Sequence, residues 1–424
     1  MTKNSDKNNN SKGKKTKSSP KQSDEVNPFD FIISEKIFEN QGEEKTVEEE
    51  DDISDKEFLR KHIGKIPLLS PKKMVTELEK MGYRGQSNAK RSVTLLAYRH
   101  IQRLRRIYIE NLSREKIGEK NNMLLMGPTG CGKTYLVESL FDKILDFPTV
   151  VVDVTPYSET GYVGQDPNNI LTRLYHTADR DERLTRIGII ALDEFDKLAS
   201  TQNNAVFAGA GTTKDITGLG VQRELLKMLE TSEVNVPVEL THSSYVETIN
   251  INTQDIAFVG IGAFSGFSSI LNRFAKGKVK GFGQEIKNRK RYDETAIAVD
   301  YDPEEVENIS YFQSYGFLPE LVARFGNIVP FASLDEDTMK DILEDNVLSR
   351  VRKEFELEKI KLVIKEDVID HIVKLALNRE TGARGLSSLI FRYLEEKAFE
   401  LFGEKEGAIL ETYMDGDKIS SRIK

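Results

Sequence analysis

Leu124-Leu125-Met126-Gly127-Pro128-Thr129-Gly130-Cys131-Gly132-Lys133-Thr134 is the stretch on which the fold turns. The apolar run Met123–Met126 suits a strand buried on both faces. After the loop, Leu136, Val137, Leu140 and Ile144 recur at helical spacing. A glycine-rich turn between such a strand and helix lets backbone N–H groups converge on phosphate oxygens, and the helix N-terminus adds favourable partial charge. This is the phosphate-binding loop in its required strand–loop–helix setting. Gly127, Pro128, Thr129, Gly130, Cys131 and Gly132 would form the cradle. Lys133 would reach the β- and γ-phosphates, and the Thr134 hydroxyl would ligate Mg²⁺.

A second apolar run, Ile189-Ile190-Ala191-Leu192, ends in Asp193-Glu194. A carboxylate at the C-terminal end of a buried strand lies on the ligand side of an open α/β sheet, so Asp193 would complete the Mg²⁺ shell. Glu194 would orient and deprotonate an attacking water. Alone, the pair could equally cap a helix; downstream of a phosphate loop the catalytic reading prevails. No Asn-Lys-x-Asp guanine motif occurs, which favours ATP over GTP.

Further outward, Val150–Val154 and Ile256–Ile261 are apolar runs of the same kind, alternating with helical segments. The alternation predicts an α/β fold with a doubly wound parallel sheet. Ser70-Pro71 predicts a helix start, and 86–109 carries a long apolar stripe. After Pro319 the pattern predicts helices over 335–355, 366–378 and 384–401, with strands near 361–364 and 408–413. The resulting domains are a charged tail over 1–62, a large ATPase domain over 63–330 and a smaller, mainly helical α/β domain over 331–424.

The tail is set apart by composition: residues 1–60 hold only twelve apolar side chains and no alanine or tyrosine. Such a segment cannot bury enough surface to offset its chain entropy, which predicts disorder. Its cluster Phe29, Phe31, Ile32, Ile33, Ile37 and Phe38 reads either as a docking peptide or as a collapsed patch. Across all 424 residues, 61 basic and 69 acidic side chains give a formal charge of −8, which argues against a surface made to coat nucleic acid. The single Cys131 excludes an intrachain disulfide framework and any cysteine-pair zinc site. No apolar run approaches membrane-spanning length and no leader is recognisable, so cytoplasm is the expected compartment. The five histidines lack ligand spacing and read as structural.

Leu124–Thr134, Gly161-Tyr162-Val163-Gly164, Asp193–Lys197, Gly220-Val221-Gln222 and Gly382-Ala383-Arg384-Gly385-Leu386 occur in an order that resembles the ClpX family of AAA+ protein unfoldases, with HslU the nearest alternative. The similarity runs from about Leu68 to about Leu401. It implies an AAA+ fold and a homo-oligomeric, hexameric ring that hydrolyses ATP to thread protein substrates through a central pore. By the same resemblance, Tyr162 and Val163 grip the substrate, residues 199–219 hold a second pore loop, Gly85 and Gln86 lie beside the base, and Arg384 reaches the nucleotide from the small domain. Arg324, in Pro319–Phe325, would be the arginine finger supplied to a neighbouring subunit.

The chain also departs from that family. It lacks the four-cysteine zinc domain, and Arg84 stands where an apolar base contact is usual. Lys280-Gly281-Phe282-Gly283 replaces the apolar-Gly-Phe peptidase anchor, so docking to a ClpP-type peptidase is not expected. The segment 273–291 carries eight Lys or Arg against Glu285 alone. A nucleotide switch or nucleic-acid motor using that segment is the alternative reading.

Overall fold

Alternate residues of the central strands serve two different cores. In β1 (Met123–Met126), Leu124 and Met126 face one cluster while Met123 and Leu125 face the other. In β3 (Ile189–Asp193), Ile190 and Leu192 oppose Ile189 and Ala191 in the same manner. Period-two geometry makes continuous apolar runs the sequence signature of a sheet covered on both faces.

The computed structural model describes residues 54–157, 165–199, 216–230, 233–240, 247–277 and 301–424. All of its strands belong to one compact unit, Glu57–Lys424. The main sheet joins β1 and β3 to β2 (Thr149–Asp153), β6 (Ala257–Gly262) and β7 (Asn327–Pro330), in the order β2-β3-β6-β1-β7. Every pairing in it is parallel. All five strands therefore point their C-terminal ends to one edge. Two strands escaped the sequence reading: β4 (Glu233–Pro237) and β5 (Thr248–Asn252) pair as an antiparallel hairpin outside the main sheet.

The helix Pro71–Lys80 starts where expected, with the Ser70 side chain accepting from the Lys73 N–H and Pro71 in the first turn. The helix Ser87–Tyr108 buries Val93, Leu96, Ala97, Ile101 and Leu104 against the sheet. One boundary needs correction. Composition extends the tail to 62, yet residues up to 65 form a helix whose Leu59 and Ile63, with Ile66 just beyond, are buried in that same core. Phe58, Leu59, Ile63 and Ile66 recur at helical spacing, which suffices to dock it.

The C-terminal part has its own core, built from residues between Met339 and Leu410. The helix expected over 335–355 is broken in register: Glu336–Ile342 is α-helical, Leu343–Leu348 is a π-helical turn, and Ser349–Leu357 is α-helical again. The helices Glu366–Asn378 and Gly382–Leu401 follow β8 (Lys361–Ile364). β9 (Ile409–Asp415) pairs parallel to β8, and an unforeseen β10 (Lys418–Ile423) closes the sheet antiparallel.

Candidate functional site

β1 delivers the glycine-rich loop at the C-terminal edge of the sheet. Gly130 and Gly132 have φ of 76° and 91°, a left-handed region that costs other residues strain. Gly130 is also crowded: a Cβ there would meet the Thr381 carbonyl oxygen at 2.6 Å, and the Ala383 N–H donates to the Gly130 carbonyl at 3.1 Å. The loop thus rests directly on the start of the helix Gly382–Leu401, and that contact carries Arg384 to the same cleft.

Lys133 is only 8% exposed, and its ammonium donates to the Gly127 and Pro128 carbonyls, both at 2.7 Å. The Thr134 hydroxyl donates to Asp193 Oδ2 at 3.0 Å. Glu194 follows in a left-handed conformation, φ 54°, and its N–H donates to Asp193 Oδ1 at 2.9 Å. That turn ends β3 sharply and sets the two carboxyls in one cleft of about 320 Å³. Cys131 is buried, and burial pushes its thiol up from the ordinary range. Its place in the loop is therefore a backbone one.

The cleft has walls from both cores. Gly82, Tyr83 and Arg84 line it from the large part, and Leu334, Ile342, Val347 and Arg350 from the small part. Tyr83 stacks on Tyr135 with ring centroids 6.0 Å apart, and its hydroxyl donates to the Gly132 carbonyl at 3.3 Å. These small-part residues had no sequence signal, since nothing local announces that a π-helical turn will face a loop far upstream.

The donor set suits Mg²⁺. A hydroxyl and a carboxylate converge, and this ion uses one or two protein oxygens and takes the rest from phosphates and water. Among the described residues no group of three or more His, Cys, Asp or Glu offers an all-protein metal cage.

Comparison with known families agrees with this geometry. Residues 118–328 match the AAA domain (Cdc48 subfamily), and residues 334–409 match the C-terminal, D2-small domain, of ClpB protein. The two matches indicate a Clp/Hsp100-type AAA+ ATPase. The first match spans β1, β2, β3, β6, the start of β7 and the glycine-rich loop but begins after Gly82–Arg84, and the second spans the helices bearing Asn346, Arg350 and Arg384.

Not every expected site residue reaches the cleft. Gly85 and Gln86 do not line it. Gln86 instead makes a two-way bond with the Ala332 backbone, accepting at 3.1 Å and donating at 2.6 Å, so it ties the two parts together. Gly85, φ 68°, sits where a Cβ would meet Thr338 Cγ2 at 2.9 Å. Arg84, the apparent misfit, turns its guanidinium to Asp345, with Nη2–Oδ2 at 2.6 Å.

Arg324 lies at the opposite edge of the sheet, just before β7, where its guanidinium pairs with Glu230 at 2.8 Å. No side chain serves at the end of β6. Gly262 stands there, with room for a Cβ taken by Asp196 Oδ1 at 2.8 Å, and Ala263 donates its N–H to that oxygen at 3.1 Å. Gln222 is fully buried and bonds the Leu198 and Gly316 carbonyls and the Leu318 N–H, so the Gly220-Val221-Gln222 segment is a packing device. Tyr162, Val163, most of 199–219, Lys280–Gly283 and the basic segment beyond Gly277 lie outside the described residues. Arg273 and Lys276 belong to the helix Phe267–Gly277. His100 and His176 face the Ile187 and Val238 carbonyls, as structural histidines do. Among the described residues no helix is long and apolar enough to cross a membrane.

Proposed function

We propose that this chain is a ring-forming, ATP-dependent protein unfoldase or remodelling chaperone. One observation carries the reading: Lys133, Thr134, Asp193, Glu194 and Arg384 meet in one cleft between the large and small parts, while Arg324 faces away from it. A site so arranged is complete in all but the cation that an adjacent subunit supplies in this class of ATPase.

In this reading the glycine-rich loop holds the phosphates and Lys133 neutralises them. Thr134 and Asp193 would hold Mg²⁺, which would supply positive charge to the bound phosphates. Glu194 accepts the proton of the attacking water, and Arg384 reports the nucleotide to the small domain. Arg324 serves the next subunit of a homo-hexamer. Tyr162 and Val163 grip an unfolded polypeptide in the pore, and the working boundaries are a tail to residue 56, a large domain to about 330 and a small domain beyond. The compartment is the cytoplasm. ClpP-type docking and nucleic-acid binding are not part of the reading.

The test is complementation. ATP hydrolysis per subunit should rise with protein concentration, Arg324→Ala and Glu194→Gln should each be inactive, and mixing them should recover turnover at interfaces that pair an intact Glu194 with an intact Arg324. A fully active monomer would refute the reading. Stimulation of hydrolysis by a carboxymethylated, unfolded model protein should vanish in Tyr162→Ala while basal turnover stays.

A further inference from the structure

The segment 82–86 touches the small part three times, and two of those contacts are made by residues that also line the cleft. Asn346 Nδ2 donates to the Gly82 carbonyl at 2.8 Å, Arg84 pairs with Asp345, and Gln86 grips the Ala332 backbone. Asp345 and Asn346 belong to the π-helical turn Leu343–Leu348, whose Val347, with the adjacent Ile342, supplies apolar wall to the cleft. π-turns concentrate at functional sites because they re-aim side chains that a regular helix would stagger. The Arg84 guanidinium is engaged from both sides: Nε and Nη2 reach Asp345 Oδ2 at 2.9 and 2.6 Å, and Nη1 donates to the Glu79 carbonyl at 2.6 Å.

We propose that Arg84 is a positioning residue for nucleotide, acting through Asp345 to hold the apolar wall of the small domain against the base. The inference rests on the cleft being the ATP site. A cation at this position does not spoil a base pocket, because its charge is spent across the domain boundary rather than offered to the cleft. Each wall is useful to a base only when the other is in place, so binding and closure become one equilibrium, and a bond that favours the closed form raises apparent affinity. Both partners are partly exposed, which keeps the effect modest and salt-sensitive.

The experiment measures the dissociation constant of a fluorescent ATP analogue in the full chain carrying Glu194→Gln, so that turnover does not intrude. Arg84→Ala and Asp345→Ala should each weaken binding about three- to fivefold, as expected for loss of one partly exposed ion pair. The double variant should be no weaker than either, and the exchanged pair Arg84→Asp with Asp345→Arg should return to within about twofold of the parent. In 1 M salt, about the limit of charge screening, parent and variants should converge. Thermal melts confirm that each variant is folded. Single effects that multiply in the double variant, or an exchanged pair no better than Arg84→Asp alone, would overturn the proposal. Lys133→Ala separates the two layers: if it binds like the parent, the cleft is not the ATP site. If it abolishes binding while the Arg84 and Asp345 variants bind normally, only the positioning role is lost.

Discussion

The two edges of the parallel sheet hold comparable numbers of charged groups and use them in opposite ways. At the C-terminal edge, Lys133, Asp193, Glu194 and Arg384 border an open cleft. At the N-terminal edge, Asp255 is 2% exposed and receives Arg103 at 3.4 Å, Arg114 at 2.6 Å and the Tyr108 hydroxyl at 2.9 Å. Lys120, just upstream of β1, donates to the Thr253 carbonyl at 2.7 Å and lies 4.9 Å from the Phe258 ring centroid. The C-terminal edge sets its charges around one cleft, whereas the N-terminal edge binds Asp255 within the chain and leaves Arg103, Arg114, Lys120 and Arg324 beside a second cavity of about 330 Å³. The difference follows from chain geometry. Loops leaving parallel strands at their C-terminal ends open a crevice there, the usual ligand side of an open α/β sheet. Arg324 is the exception: its carbonyl is fixed by buried Asn122 at 3.1 Å, but among the described residues its guanidinium is paired with Glu230 alone, across an exposed contact.

The largest expected effect breaks the chemistry of one edge alone. Glu194→Gln should lower turnover about 10²- to 10⁴-fold, the usual worth of a positioned base, with ATP still bound and the melting temperature unchanged. Lys133→Ala should instead lose tight ATP binding. Unaltered turnover in the Glu194 variant would remove that residue from the reaction.

The mirror-image substitution is Asp255→Ala. It leaves Arg103 buried without its acid, a situation that costs about 3–5 kcal/mol. Urea unfolding should show that loss, while ATP affinity of the fraction still folded stays within about twofold, as expected for sites that share no partner. A loss of affinity with no loss of stability would mean that the two edges are not separable as argued.

Next in size is Gly130→Ala, which tests whether the cleft depends on the loop touching the small part. The new methyl would occupy a left-handed residue and press on the Thr381 carbonyl. A cost of about 1–3 kcal/mol, typical of overpacking and backbone strain, should appear as weaker ATP binding, since the contact lies at the cleft. Gly64→Ala, with open space around its Cβ, is the control.

How much of this could be seen in the chain itself differs between the edges. Strands β1, β3 and β6 were legible because a doubly covered strand is apolar along its length, and the glycine-rich loop because its left-handed Gly130 and Gly132 answer to local geometry. The charged groups of the N-terminal edge gave no such signal, because Asp255, Arg103 and Arg114 come together only when the sheet is assembled. Gln86 depends on assembly in the same way. Its neighbour Tyr83 lines the cleft, but Gln86 itself turns to Ala332, a choice made by docking of the small part. The hairpin β4–β5 carries no continuous apolar run: Val234 and Val236, and Ile249 and Ile251, alternate with polar residues, and of the two strands Val236 and Ile251 alone are fully buried.

The smallest expected effect concerns Lys120, whose ammonium sits between the Thr253 carbonyl and the Phe258 ring at the N-terminal edge. Burial pushes its ammonium down to about 7 from 10.5, opposed by Asp255 and reinforced by the like charges of Arg103 and Arg324. Below about pH 7 both folded and unfolded chains hold this proton, so the group adds no slope to stability. Between 7 and 10.5 the unfolded chain still binds it and the folded chain does not. Stability therefore rises with pH in that window, by at most about 1.4 kcal/mol per pH unit from this one site. Lys120→Met keeps much of the side-chain volume beside Phe258 and has nothing to titrate. The difference in unfolding free energy between parent and variant, measured by urea titration at pH 7, 8 and 9, should move steadily in favour of the parent. ATP affinity at the other edge should stay level between the two proteins throughout the same series. If the difference is flat with pH, the Lys120 ammonium is not enclosed as described. If affinity follows stability, the two edges act as one site.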